Sequence, residues 1–411
     1  MTSPPWRWPF ALAALALLGA CVTIGGMEPW VDPARLAAYE VTRPGEVLFR
    51  RDDRAAVLAA TPPALRARLC GSGSLPMTSL AAPEAFGAER TGGTDTRLEP
   101  FSWALMHNAA SAFGTGEGAA GEALVTALDR WAREGALARL DNDEAATYYA
   151  LDRMLLPAIV GFGLVSEGGR ADTPAELRVR HWLAGLVERT RARRVQQDRD
   201  GISARNNHSY LDASVLMAWG ALTGDDGLFR AGPAAFERAL RQMRPDGSLP
   251  LETARGARAL WYQRHAIASL VAIAEMAATQ GQDLYGLEVE GRSLHRAVDF
   301  LLDATADPAK VLPYARADAN PGVEADWRQQ DLGFLARRGH GRHYMAWAEP
   351  YMARFPGRME TRRLRAALER ADPAFRPMID DYAGGNATCF FAEPGGRAFS
   401  PALSNAKEPA G

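Results

Sequence analysis

Apolar and polar positions alternate along this chain with a helical period almost throughout. Apolar residues recur at three- and four-residue spacings, and strict two-residue alternation is rare. The pattern predicts helices over 53–69, 100–113, 119–136, 142–163, 174–196, 208–222, 226–241, 255–279, 288–304, 342–354 and 360–371. Gly224, Pro245-Asp246-Gly247 and Pro356-Gly357 punctuate the run. Sequential helices with short links predict antiparallel hairpins stacked side by side, an all-α fold. No residue signature repeats at a fixed period, which argues against a regular short-repeat solenoid. Three stretches read as long loops: 71–99, 306–340, and a Gly-, Pro- and Ala-rich tail over 383–411 expected to be partly disordered.

Composition supports a packed core. Of 411 residues, 47% are hydrophobic and 23% charged. The 47 basic and 49 acidic side chains nearly cancel, leaving a net charge of −2. That balance gives no global attraction to nucleic acid, so an acidic ligand needs a local basic site. At the N-terminus, Arg7 precedes an apolar run from Phe10 to Ala20, too short for a stable membrane span. The run ends Leu17-Leu18-Gly19-Ala20-Cys21, which resembles a bacterial lipoprotein cleavage box with Cys21 as the lipidated residue. An ordinary cleaved signal peptide is the alternative. Either way the chain is expected outside the cytoplasm, in the periplasm or tethered to the outer membrane. The chain then divides into an export signal (1–21), a helical domain (40–376) and a loop-rich tail (377–411). An oxidising compartment permits a Cys70–Cys389 disulfide, though spacing alone does not bring the two together. No zinc-site spacing, P-loop or dinucleotide fingerprint is present, and no metal or cofactor is expected.

Two short segments carry the candidate chemistry. The first, Arg205-Asn206-Asn207-His208-Ser209-Tyr210, precedes an apolar helical run. Asn206 or Asn207 can cap that helix, whose N-terminus favours a bound carboxylate. The plain alternative is an ordinary cap followed by a solvated His. The second runs from Arg255 through Arg258 to Tyr262 and Gln263. If helical, it sets Arg255, Arg258 and Tyr262 on one face. Guanidiniums beside a phenol favour phenolate and can also grip carboxylates. Here the plain alternative is an exposed Arg stripe with a Tyr at its edge.

Taken together, Asn206-Asn207-His208-Ser209-Tyr210 and an Arg255–Tyr262 pair seven residues apart resemble polysaccharide lyase family 5, the mannuronate-preferring alginate lyases. The 54-residue step from His208 to Tyr262 is similar too. So are Tyr149-Ala150-Leu151-Asp152-Arg153, the Asp246-Gly247-Ser248-Leu249-Pro250-Leu251-Glu252 linker and Trp347-Ala348-Glu349-Pro350-Tyr351. The likeness covers about residues 140–356. Leu211 stands where the family has Trp, Tyr262-Gln263-Arg264 replaces its Tyr-His-Asn, and residues 40–140 show none of its N-terminal region.

The resemblance implies an (α/α) toroid, an incomplete barrel of helical hairpins around a cleft. It also implies metal-independent β-elimination on a uronate polymer: alginate first, another polyuronate such as polyglucuronate next. By that implication Asn207, His208 and Arg255 hold the C5 carboxylate, and Tyr262 removes the C5 proton and returns it to the leaving O4. His208 is the base for the opposite C5 configuration. Arg205, Arg258, Tyr149, Arg153, Tyr344 and Trp347 are the expected sugar contacts, and the enzyme is expected to act as a monomer. Two rivals remain: a non-catalytic acidic-polysaccharide-binding lipoprotein, and a glycoside hydrolase using carboxylates such as Asp141, Asp143 and Glu144.

Overall fold

A computed structural model describes residues 31–87, 98–142, 144–196, 201–317 and 326–393. The export signal with Cys21, and Asp143, lie outside the described residues. In chain order the helices are α1 (Pro33–Ala37), α2 (Arg51–Ala59), α3 (Pro63–Cys70), α4 (Glu99–Thr115), α5 (Gly118–Arg133), α6 (Ala145–Val165), α7 (Pro174–Gln196), α8 (Asn207–Thr223) and α9 (Asp226–Phe229). They continue with α10 (Ala231–Gln242), α11 (Pro250–Thr253), α12 (Ala259–Thr279), α13 (Leu294–Ala306), α14 (Leu312–Ala315), α15 (Ala348–Arg354), α16 (Met359–Ala371) and α17 (Ala387–Phe391). Two small sheets are present among the described residues. A parallel pair joins β1 (Ala85–Phe86) to β2 (Arg139–Leu140), and an antiparallel pair joins β3 (Ile379–Asp380) to β4 (Gly385–Asn386).

Two kinds of helix build two rings. The helices α4, α6, α8 and α12 are apolar on nearly every face, and each is buried over most of its length. They pack in sequence, α4 on α6, α6 on α8, α8 on α12. By contrast α5, α10 and α13 carry one apolar stripe each and lie outside, against α4, α8 and α12 respectively. α7 buries Val179, Leu183, Leu186, Val187 and Thr190 against α5 and α8. The result is the expected (α/α) toroid, with one hydrophobic core running through it. α6 is long and apolar enough to cross a membrane, yet its apolar window is 78% buried, as a core helix of this ring requires.

Local chemistry moved several expected boundaries. The helix anticipated over 53–69 is two helices, because Pro62 and Pro63 interrupt the ladder and Pro63 opens α3. The helix anticipated from 255 begins at Ala259, after a 3-10 turn at Gly256–Arg258 in which Gly256 has φ +54°. The helix anticipated over 342–354 shrinks to α15.

The tail expected from 377 corrects most clearly. Residues 379–390 are buried throughout, and Cys389 is joined to Cys70 by a disulfide. Arg54 donates to the carbonyls of Cys389 and Ala392, and Asn386 donates to the carbonyl of Leu69. Gly114 on α4 has no Cβ where the two sulfurs lie against it. The helical domain therefore extends past 376, and this segment forms part of the site wall.

Candidate active site

The site forms where the N-terminal ends of α8 and α12 meet α6 and the β3–β4 hairpin. Asn206 caps α8: its side chain accepts from the His208 backbone N–H at 3.0 Å. That leaves Asn207 and His208 as the first two helical residues. Glu252, brought up by the Pro245–Gly247 turn and α11, accepts from the Asn207 backbone N–H at 2.7 Å. Asn207 is thus fixed by its backbone, while its carboxamide, 1% exposed, has a partner at neither nitrogen nor oxygen. Leaving such a group unpaired costs about 1–3 kcal/mol. A buried amide in that state is uncommon in a folded protein and marks the position as a candidate binding group. The Nδ1 of His208 is likewise buried and unpartnered.

Arg255 is not on a helix face with Tyr262, contrary to the expectation, because its backbone (φ −128°, ψ 37°) is non-helical and precedes the 3-10 turn, and α12 begins only at Ala259. Gln330 and Asp331 hold that turn through the Gly256 carbonyl and the Ala257 carbonyl. The consequence is closer contact than a helix gives: the Arg255 guanidinium lies over the Tyr262 ring, 3.8 Å from its centroid. Arg258, next along, is exposed at the rim, and Arg205 sits partly exposed just before the α8 cap.

Aromatic rings line the rest. Tyr149 on α6 stacks on His208, ring centroids 4.1 Å apart. His265, one turn after Tyr262 on α12, meets Tyr262 edge-on at 5.5 Å and stacks on Tyr382 at 4.9 Å. The hydroxyls of Tyr149 and Tyr382 are 2.5 Å apart. Trp261 and Tyr344 meet edge-on at 5.3 Å, and Tyr344 reaches His340 through a 3.1 Å hydrogen bond.

Arg153 was expected to touch sugar, but its Nε donates to Asp381 at 2.8 Å and its guanidinium lies 5.3 Å from the Tyr382 ring centroid. It supports the wall instead of opening into it. Trp347 is also corrected: at 1% exposure it packs edge-on against Tyr351 in the core, which no sugar reaches. Of the acidic cluster weighed for hydrolysis, Asp141 is exposed, Glu144 occupies the cap position of α6, and Asp143 lies outside the described residues. No group of three His, Cys, Asp or Glu side chains suited to a metal gathers among the described residues.

Burial among guanidiniums sets the protonation states. Burial, then Arg255, pushes His208 down to about 4, so it is a neutral imidazole near neutral pH. His265 is held well below the ordinary imidazole range by burial, then by Arg264 and Arg153. Burial pushes Glu252 up to about 8 against the pull of Arg255 and the Asn207 N–H. Burial and the neighbouring Asp381 push Asp380 up to about 7. Burial works against the Asp381 carboxylate as well, but Arg153 and Arg342 hold it below the usual range. The site therefore presents a neutral amide and neutral imidazoles beside a guanidinium, an arrangement that accepts a carboxylate. Sequence reasoning had not assigned roles to Glu252, Arg264, His265, Arg342, Asp380, Asp381 or Tyr382. Only Glu252 and Arg264 lie within stretches that the motifs single out.

Comparison with known proteins places the fold and the sequence among characterised lyases. The family model described as alginate lyase matches residues 93–311, reaching further toward the N-terminus than the motifs alone suggested. A polysaccharide lyase of Stenotrophomonas maltophilia is 32% identical over 52% of this chain and 62% of its own length. An alginate lyase of Azotobacter vinelandii is 28% identical over 55% of this chain and 56% of its own length. Matches to these relatives thus span less than two thirds of their lengths. Among solved structures, a histidine-to-alanine variant of alginate lyase A1-III complexed with a tetrasaccharide has a TM-score of 0.68 at 25% identity, covering 89% of this chain and 99% of that one. A tyrosine-to-phenylalanine variant, also complexed with a tetrasaccharide, has the same TM-score at 24% identity. With the family model matching more than half of its length, this chain belongs to the alginate lyase family.

Proposed function

We propose that this protein is a polysaccharide lyase that cleaves alginate by β-elimination, with mannuronate-rich polymer as the first substrate and other polyuronates next. One observation carries the reading: the buried, doubly unpartnered carboxamide of Asn207, set beside a neutral His208 at the N-terminus of α8. Together with Arg255 these groups suit a carboxylate, and family membership names the uronate as its bearer.

The chemistry follows from that grip. The C5 proton of a uronate is only weakly acidic while its carboxylate is fully charged. Hydrogen bonds from Asn207 and His208, with the charge of Arg255, stabilise the enolate-like state that forms as the proton leaves. Tyr262 removes the proton as phenolate. The C5–H electron pair becomes the C4=C5 double bond, the C4–O4 bond breaks, and O4 takes its electrons and the proton that Tyr262 now carries. Arg255 stacked on the Tyr262 ring ties base and carboxylate site into one unit. For the opposite C5 configuration, His208 is the base.

In the same reading the enzyme works outside the cytoplasm as a monomer tethered through Cys21. The Cys70–Cys389 disulfide supports an oxidising compartment. Product analysis tests the reaction class. Incubation with poly-mannuronate, poly-guluronate, polyglucuronate, hyaluronan and pectate is expected to give oligosaccharides with unsaturated non-reducing ends. Saturated ends carrying an added water overturn the lyase in favour of a hydrolase, and no cleavage leaves a binding protein.

A further inference from the structure

The proton-transfer steps leave unused a pair of phenols in the site wall, one of them the expected sugar contact Tyr149. Tyr149 comes from α6, Tyr382 from the turn between β3 and β4, and their oxygens are 2.5 Å apart. Two phenols hold two protons, and only one can lie between the oxygens. The other must point away. Tyr382 is 2% exposed, and the guanidiniums of Arg153 and Arg264 lie 5.3 and 5.5 Å from its ring centroid. Guanidiniums are donors only. Among the described residues no acceptor besides the Tyr149 oxygen bonds the Tyr382 hydroxyl. A proton directed away from Tyr149 at that place has nothing to bond, which is costly for a buried group. Tyr149 is partly exposed, and its ring lies flat on His208.

We propose that Tyr382 is a positioning residue of the elimination: it donates to Tyr149, and so turns the Tyr149 O–H outward as a fixed donor to the bound uronate chain beside His208. The arrangement rests on the lyase reading and adds to it a residue outside the 93–311 span of the family match. Burial keeps both hydroxyls protonated, so the donor persists across the working pH range. The C-terminal segment thus contributes through Tyr382 without touching substrate. Asp381 steadies it by gripping Arg153 and Arg342.

A double-mutant cycle on kcat/KM tests this, using the full chain and poly-mannuronate. Y382F keeps the ring, its stack on His265 and its flanking cations, and removes only the donor. Y382F is expected to lower kcat/KM about tenfold, the worth of about one oriented hydrogen bond. Y149F should lower it at least as much, and Y149F/Y382F should be no worse than Y149F alone. Losses that multiply in the double variant mean that Tyr382 acts by general packing, and overturn the proposal. Y149F with unchanged kcat/KM overturns it too, whether or not Y382F folds well. Wild-type protein that leaves every polymer intact overturns the lyase reading itself, and this inference with it; wild-type cleavage with a multiplicative cycle overturns this inference alone.

Discussion

Asn207 holds the clearest conflict between stability and function in the molecule. Its backbone N–H is satisfied by Glu252 while its carboxamide is left unpaired in the interior. Asn207→Leu, close in shape and apolar, is expected to raise the unfolding free energy by about 1–2 kcal/mol, by removing an unpaired buried amide. It should also lower kcat/KM by at least about a hundredfold. Thermal melts and initial rates on one preparation check both, and a variant that loses stability would mean the amide is structural. Glu252 supplies a second test. With its carboxyl pushed up to about 8, it is mostly neutral at pH 7 and gains charge as pH rises through that value. A new negative charge beside Asn207 and Arg255 weakens the hold on a substrate carboxylate, so KM should climb above pH 8. Glu252→Gln keeps an oxygen to accept from Asn207 and cannot ionise, so its KM should stay flat over the same range, read from a pH series of Michaelis curves. Of these residues, Asn207, His208, Arg255 and Tyr262 were legible because each pair sits within a few positions of chain. His265 gave no separate signal, being one more ring in an apolar helix.

At the scale of elements, what could be read was what is local. The inner helices α4, α6, α8 and α12 announce themselves by being apolar all round, and the outer ones by a single stripe. Local turn chemistry shifted their ends: Pro62-Pro63 splits one helix, and Gly256 delays α12 until Ala259. That delay lays Arg255 flat on Tyr262 instead of two helical turns behind it. The C-terminal segment was illegible for the opposite reason. Its Gly- and Ala-rich composition resembles a loose tail, and what orders it lies hundreds of residues away: Cys70, Arg54, and the Leu69 carbonyl, with Glu349 closer. Replacing Cys70 and Cys389 by Ser is expected to destabilise the protein by about 2–4 kcal/mol in denaturant titrations. Activity should fall at temperatures where α17 and the β3–β4 hairpin loosen, since that hairpin carries Tyr382. Unchanged stability would show that the hydrogen bonds alone hold the segment.

For the whole molecule, a net charge of −2 hides a strongly uneven interior. The guanidiniums of Arg153, Arg255 and Arg264 surround one set of rings, while Asp380 and Asp381 on the β3–β4 hairpin, with Arg342 beside Asp381, balance them. In the proposed reading an acidic polymer meets local cations, Arg255 foremost, and not a favourable overall charge. The toroid provides the frame: α6, α8 and α12 come side by side in the inner ring, so a Tyr, an Asn-His pair and an Arg–Tyr pair from distant chain positions share one wall. In the proposed reaction Tyr262 moves the proton. The most direct measurement is the ultraviolet absorbance of the conjugated double bond formed from poly-mannuronate, followed for the wild type and for Tyr262→Phe. A rise for the wild type, reduced at least about a hundredfold in a folded Tyr262→Phe protein, is the predicted result. Equal rates in the two proteins would mean that Tyr262 is not the base, which would then lie elsewhere in the wall.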